Sequence, residues 1–220
     1  MTGLTPSRAR SAVRRGNPPG VPLGGLLSDL SYLLQAAFPS VARLLVPAFR
    51  WTYRRLAPRY ETEVIGRTPG YDAALRTTLE RSALAPRWCG DIAAGTGAAT
   101  RLLRARFPQA RIVAVDLSPP MLRELRPAVG VHRLVGNGWT LPLATGGLDL
   151  AVIQNAPPSF RELARVVRPG GTLLFSLSSA GALSVSLRRW LLRRAAPPTL
   201  APPEETTAGS GVTWSFRKLQ

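Results

Sequence analysis

The chain has 220 residues, 45% of them hydrophobic, which suits one domain with appendages and a full core. Its one cysteine, Cys89, excludes an internal disulfide and a cysteine-based metal cluster, and its one histidine, His132, excludes a His–Asp triad and a multi-histidine metal site. The net charge of +17 invites a nucleic-acid partner, but the basic residues are spread along the chain without interleaved aromatics, and Lys218 is the only lysine; a solvated basic surface is the first reading and attraction to anionic lipid or acidic substrates the second.

In chain order, residues 1–22 carry Arg8, Arg10, Arg14, Arg15 and several prolines and read as a disordered basic arm. Residues 23–38 place leucines at helical spacing. With Ser40-Val41-Ala42 behind them they mimic a secretion signal, but Ser28, Asp29, Ser31 and Gln35 interrupt the apolar stretch. The same interruptions argue against a membrane span, which needs about 20 predominantly apolar residues. The expected location is therefore cytoplasmic, with membrane-peripheral contact as the second reading. A further helix is expected over 41–56, with Val41, Leu44, Leu45, Ala48, Phe49, Thr52 and Leu56 in one stripe and Pro47 kinking or dividing it. It packs on the domain, closes as a lid over an apolar acceptor, or lies on a membrane surface. Residues 23–82 thus form N-terminal helices, and 83–220 the main domain.

From Arg87 onward, apolar β-branched runs at 111–115, 131–135, 148–153 and 172–177 alternate with helical stretches. One helix opens near Ala98. A second begins at Pro119-Pro120 behind Ser118, and a third behind Ser159 with Glu162 in capping-box position, stopping at Pro169-Gly170-Gly171. Gly181–Arg194 is a fourth candidate, with Arg188, Arg189, Arg193 and Arg194 gathered toward its carboxyl end. The alternation predicts an α/β, doubly wound, Rossmann-like fold: a mostly parallel sheet with helices on both faces. Residues 196–211 read as a Pro-rich linker. Val212–Phe216 alone reads as the antiparallel C-terminal strand, so the sheet is expected to be one strand short or the chain to stop early.

The densest signal is Asp91-Ile92-Ala93-Ala94-Gly95-Thr96-Gly97. It is a small-residue loop between an apolar strand and a helix, and it allows close approach of a ligand to the backbone. Asp116 ends the next apolar run about 20 residues on, where a carboxylate grips a nucleotide ribose in doubly wound folds.

These residues resemble the class I S-adenosylmethionine-dependent methyltransferases over roughly residues 50–180. Asp91–Gly97 is similar to that family's first motif, with Ala93 where glycine is commonest. Val115-Asp116-Leu117-Ser118 resembles its second strand, Gly136-Asn137-Gly138-Trp139 its adenine-binding region, Asp149–Ile153 its fourth strand, and Leu163–Leu173 its later helix and glycine turn. The resemblance implies S-adenosylmethionine as cofactor. Asp91, Ala93, Gly95, Thr96 and Gly97 would hold its methionine end and Asp116, with Leu117 beside it, its ribose. Asn137 and Gly138 would face the adenine, and Gln154 would line the cleft. Asn137 replaces the family's usual aspartate, though its side-chain oxygen can accept the adenine amino hydrogen bond. The segment between Ile153 and the helix at 159 is shorter than is common. Tyr53 and Tyr60 either approach the cleft or simply pack.

The activity implied is methyl transfer to a small apolar or aromatic acceptor. No general base stands out, which suits a donor that arrives activated. Nucleic-acid methylation is a second reading: Asn155-Ala156-Pro157-Pro158-Ser159-Phe160 partly resembles an amino-group methyltransferase motif, with its spacing broken. A third reading is a degenerate, non-catalytic fold. The glycine–acid pair alone would also admit a nicotinamide dehydrogenase, against which the 136–143 and 168–171 segments weigh.

Overall fold

The computed structural model describes residues 23–180 and 183–220. The predicted basic arm and the first two residues of the 181–194 helix lie outside them. The chain opens with α1 (Leu23–Ala37) and α2 (Pro39–Leu56), a 3₁₀ turn (Ala57–Arg59), a π-helical turn (Glu61–Ile65) and α3 (Ala73–Arg81). Then follow β1 (Trp88–Ile92), α4 (Ala98–Arg106), β2 (Arg111–Asp116), α5 (Pro119–Glu124) and β3 (Val131–Val135). The second half runs β4 (Leu148–Gln154), α6 (Phe160–Val166), β5 (Val167–Leu177), α7 (Val185–Ala195), β6 (Glu204–Ala208) and β7 (Gly211–Arg217).

The strands form one seven-stranded sheet in the order β3-β2-β1-β4-β5-β7-β6. The first five pair in parallel, while β7 runs antiparallel to both β5 and β6. Alternation along the central strands divides the core between two faces. Leu150 and Val152 of β4 join Leu75 and Leu79 of α3 and Leu102 and Leu103 of α4. Ala151 and Ile153 turn the other way, toward Tyr32 and Leu33 of α1, Phe160 and Leu163 of α6, and Leu191 and Leu192 of α7. The chain steps from β1 outward to β2 and β3, then returns to β4. That reversal opens a crevice at the carboxyl ends of β1 and β4.

Several expectations change. The sheet is not one strand short: β6 lies inside the predicted linker. It has no apolar run because it is an edge strand with a half-exposed face, and its alternation reads only against β7. Buried Arg188 of α7 donates to Glu205 Oε1 at 2.5 Å, and Trp214 Nε1 donates to Glu205 Oε2 at 2.8 Å. Arg188 therefore fastens α7 to the sheet, whereas Arg189, Arg193 and Arg194 are exposed. No capping box forms at α6. Glu162 instead accepts from the Leu141 N–H at 2.7 Å and pairs with Arg165, tying the 141–145 loop to the helix. That helix ends at Val166, and β5 begins immediately with a register shift against β4; the left-handed turn sits at Gly170, φ +71°.

Helix α2 runs through Pro47 undivided. It turns Val46, Phe49, Tyr53 and Leu56 inward, while Leu44, Leu45, Ala48 and Thr52 of the predicted stripe are exposed. α3, which has no distinct signature in the sequence, packs Leu75 and Leu79 into the sheet core. Asp29, the residue that breaks the apolar run of α1, is buried and accepts from the Ser179 N–H at 2.7 Å, docking α1 beyond the end of β5. No described helix is long and apolar enough to cross a membrane. Cys89 is buried in β1, and burial pushes its thiol up to about 12. His132 is exposed on edge strand β3.

Candidate active site

The loops after β1, β2, β3 and β4 empty into one pocket at the crevice. Asp91, Ala93, Gly95, Thr96, Asp116, Leu117, Asn137, Gly138 and Gln154 all line it. Gly97 does not. It starts α4 at φ +91°, and a Cβ there would sit 2.8 Å from Leu125 Cγ, so its lack of a side chain serves the turn and the α5 contact. The pocket holds about 950 Å³ counting its open mouth.

The first loop is shaped by three left-handed residues, Ala93 (φ +58°), Gly95 (φ +55°) and Gly97. Glycine takes this conformation freely, whereas Ala93 takes it at a cost of about 1–2 kcal/mol, held by its neighbours. One such neighbour is Ala94, whose N–H donates to the Val115 carbonyl at 3.0 Å. Gly95 N–H donates to Asp116 Oδ2 at 2.8 Å and Ser118 N–H to Oδ1 at 2.7 Å. Each Asp116 oxygen is thereby oriented and keeps acceptor capacity, the pair of acceptors that the two hydroxyls of a vicinal diol require. Burial raises the Asp116 pKa against these two bonds.

Asp91, at the carboxyl end of β1, is buried. Thr100 Oγ1 donates to its Oδ2 at 2.5 Å. Desolvation outweighs that bond and pushes the carboxyl up to about 7. No lysine or arginine lines the pocket among the described residues. A buried carboxylate facing such a wall is short of a cation, and a ligand with an ammonium group supplies one.

Asn137 departs from expectation. Its side-chain oxygen accepts from the Trp139 N–H at 3.0 Å, a local turn that engages the oxygen expected to serve an adenine. Gln154 Nε2 is likewise engaged, donating to the Tyr71 carbonyl at 3.1 Å. Asn155, at φ +50°, accepts from Ser178 N–H at 2.9 Å and donates to Ser178 Oγ at 2.5 Å. Both ends of its amide are thus engaged across the sheet end, which turns one donor and one acceptor of the group toward Ser178.

The outer wall comes from the N-terminal segment: Val46, Phe49, Tyr53, Tyr60 and Tyr71. Tyr60 and Tyr71 hydroxyls lie 3.1 Å apart, as do those of Tyr32 and Tyr53. Burial holds Tyr53 and Tyr60 well above the usual phenol value and lifts Tyr71 to about 12. All three are neutral phenols near pH 7, able to donate a hydrogen bond and unfit to act as bases. Glu61 of the π-helical turn clasps this segment onto the glycine loop: Thr96 Oγ1 donates to Glu61 Oε1 at 2.6 Å, and Arg101 reaches the same oxygen at 3.1 Å. Tyr71 and Glu61 carry no signal in the sequence. They stand in segments without a motif, and only the folded chain brings them to the loop.

Comparisons with known proteins find methyltransferases. A family model described as a methyltransferase domain matches residues 90–171. The malonyl-[acyl-carrier protein] O-methyltransferase of Methylococcus capsulatus is 36% identical over 142 residues, covering 55% of this chain and 52% of that protein. The ubiquinone/menaquinone biosynthesis C-methyltransferase of Syntrophotalea carbinolica is 35% identical over 137 residues, covering 56% and 57%. The chain thus spans about half the length of the curated relatives it matches. In fold it resembles the N-methyltransferase NodS of Bradyrhizobium japonicum, solved with S-adenosyl-L-homocysteine, at a TM-score of 0.58 and 16% identity, covering 78% of this chain and 98% of that one.

Proposed function

We propose that this chain is a class I S-adenosylmethionine-dependent methyltransferase that methylates a small apolar or aromatic acceptor beneath α2, a reading supported by the methyltransferase-domain match over residues 90–171 and by the curated methyltransferase relatives. The observation that carries the reading is the division of the pocket. Its inner end presents the buried carboxylates Asp91 and Asp116 beside the glycine loop. Its outer end is walled by Phe49, Tyr53, Tyr60 and Tyr71.

The donor set fits the cofactor. Asp116 takes the ribose hydroxyls, Asp91 faces the methionine ammonium, and the backbone at Gly95 lets the methionine end approach. Ala93, Thr96, Leu117, Gly138 and Gln154 complete the cradle, with Asn137 beside the adenine. When bound, the sulfonium supplies a methyl group already activated for displacement. The chain's part is to position the acceptor and exclude water, and aromatic faces near a cation stabilise it while the site stays dry. No residue of the wall serves as a base at neutral pH, so the acceptor enters with its nucleophilic atom ready or loses its proton to water.

The curated relatives act, by their names, on a malonyl thioester or on quinones. We favour the quinone-like chemistry. A carboxylate acceptor would enter a wall without lysine or arginine, and an unpaired buried charge is costly. The nucleic-acid reading loses ground because the Asn155 amide is committed to Ser178. The non-catalytic reading rested on Asn137 in place of aspartate, the short 154–158 loop and a missing strand, and it loses the last of these to β6.

Calorimetric titration tests the assignment. S-adenosylmethionine should bind the unaltered chain, and Asp116→Ala should weaken it by about 10- to 100-fold, the value of hydrogen bonds to a charged group. No binding to the unaltered chain, or equal binding by both, overturns the site. A radiolabelled methyl group should pass to a simple hydroquinone and not to a malonyl thioester; the reverse outcome overturns the acceptor class.

A further inference from the structure

We propose that the outward faces of α2 and α7 form a docking surface for an anionic phospholipid bilayer. Helix α2 has two apolar faces. The inner one covers the pocket through Val46, Phe49 and Tyr53. On the opposite side Leu44, Pro47, Ala48, Trp51 and Arg55 recur at spacings of three and four, and all five are exposed, Leu44 at 81% and Trp51 at 58%. Arg55 lies over the Trp51 ring at 4.1 Å, with Arg50 and Arg54 exposed nearby on the helix.

Helix α7 repeats the arrangement. Arg188, Leu191 and Leu192 are buried, while Trp190 is 56% exposed among Arg189, Arg193 and Arg194. α7 packs on α1, and α1 on α2. Arg194 lies 4.7 Å over the ring of Phe38 at the junction of α1 and α2, which joins the two faces. Of the eleven exposed large hydrophobic side chains among the described residues, eight come from residues 34–51 and 185–190. Neither α2 nor α7 contains an acidic residue, and the one acid of α1, Asp29, is buried.

Exposed Trp and Leu flanked by arginines, with no acid among them, is what the interface of an anionic bilayer selects: indole at headgroup depth, leucine below it, guanidinium groups on phosphates. A soluble acidic partner would use the arginines but leave Leu44 and Trp51 unexplained. Docking seats the pocket's cover on the membrane. An acceptor dissolved in the bilayer would then enter beneath α2, a corollary that rests on the methyl-transfer reading above.

The test is co-sedimentation of the full chain with vesicles. Binding to vesicles holding about one third phosphatidylglycerol should exceed binding to pure phosphatidylcholine by at least about tenfold. The Leu44→Glu/Trp51→Glu double variant should lose at least about tenfold on the anionic vesicles, because its apolar face no longer inserts. Its affinity for S-adenosylmethionine, read by calorimetry, should be unchanged, which shows that it is folded. In the unaltered chain, brominated lipid should quench tryptophan fluorescence, and the conservative Trp51→Phe/Trp190→Phe variant should lose that quenching. Failure to sediment with anionic vesicles, full binding by the double variant, or absent quenching overturns the proposal. Capture by polyglutamate with indifference to vesicles overturns it too and assigns the face to an acidic protein. Vesicle binding without S-adenosylmethionine binding sinks the methyl-transfer reading and leaves this one standing.

Discussion

Asp91 shows how a buried carboxylate in the pocket weakens the free protein. Its carboxyl titrates near pH 7 in the folded chain and near 3.8 when exposed, because burial penalises the charge more than Thr100 relieves it. A folded value raised in this way contributes stability below about pH 4 and loses it as pH rises through about 7. Asp29 is shifted the same way, to about 6. The free chain should therefore melt at falling temperature from pH 4 to pH 7.5. Asp91→Asn should flatten part of that slope and raise the melting temperature at pH 7.5 while weakening S-adenosylmethionine. A variant less stable than the parent at pH 7.5 would contradict the burial argument. Affinity for the cationic donor should fall in the parent as pH drops below 7, in step with protonation of Asp91, and calorimetry at several pH values reads it. At this scale the sequence was largely legible. Asp91, Gly95 and Asp116 stand at the spacings expected of a strand–loop–helix ligand site, and the folded chain brings all three to one pocket. Asn137 was legible by position but not by contact, since its turn to Trp139 depends on the local backbone path. Glu61 and Tyr71 were not legible, because their roles come from partners 35 and 83 residues away, Thr96 and Gln154.

Among the elements, β6 and α2 teach most. Strand β6 hides from periodicity because an edge strand has one partner and one half-buried face. What holds it is the buried pair of Arg188 with Glu205, with Trp214 as a third member. Removing the acid leaves a buried guanidinium without its counter-charge, though Arg188 still reaches the carbonyls of Ala180 and Leu183. Glu205→Ala should therefore cost about 3 kcal/mol, the lower end for breaking a buried pair, and Glu205→Gln less, by chemical denaturation. A loss under about 1 kcal/mol would show that β6 holds without it. Helix α2 was predicted as a helix with one stripe. The folded chain gives it two, because rotation about the helix axis is set by the pocket it covers. Spacing specified that apolar residues recur, and packing chose Val46, Phe49 and Tyr53 as the inner set.

Over the whole molecule, the pocket joins parts distant in sequence. The N-terminal segment, the glycine loop and the ends of β1, β2 and β4 meet there, with Glu61 clasping cover to loop. A ligand that bridges them stabilises the native state alone. At a hundredfold excess over its dissociation constant the gain is about 2.7 kcal/mol. For a chain of this length that is a rise of about 5–10 °C in melting temperature. Differential scanning fluorimetry with S-adenosylmethionine should show it for the parent and, at the same ligand concentration, only about half of it or less for Asp116→Ala. No shift at saturating ligand would contradict the bridging.

The sequence by itself determined the parallel core of the sheet, its two layers of helices, and the place of the site at the carboxyl ends of β1 and β2. Those features follow from local periodicity, turn chemistry and short spacings, which the chain carries regardless of what surrounds it. Only the tertiary structure decided the seventh strand, the rotation of α2, the aromatic wall and the Glu61 clasp. Each depends on which surface a segment meets, and contacts between residues far apart in the chain leave no period to read.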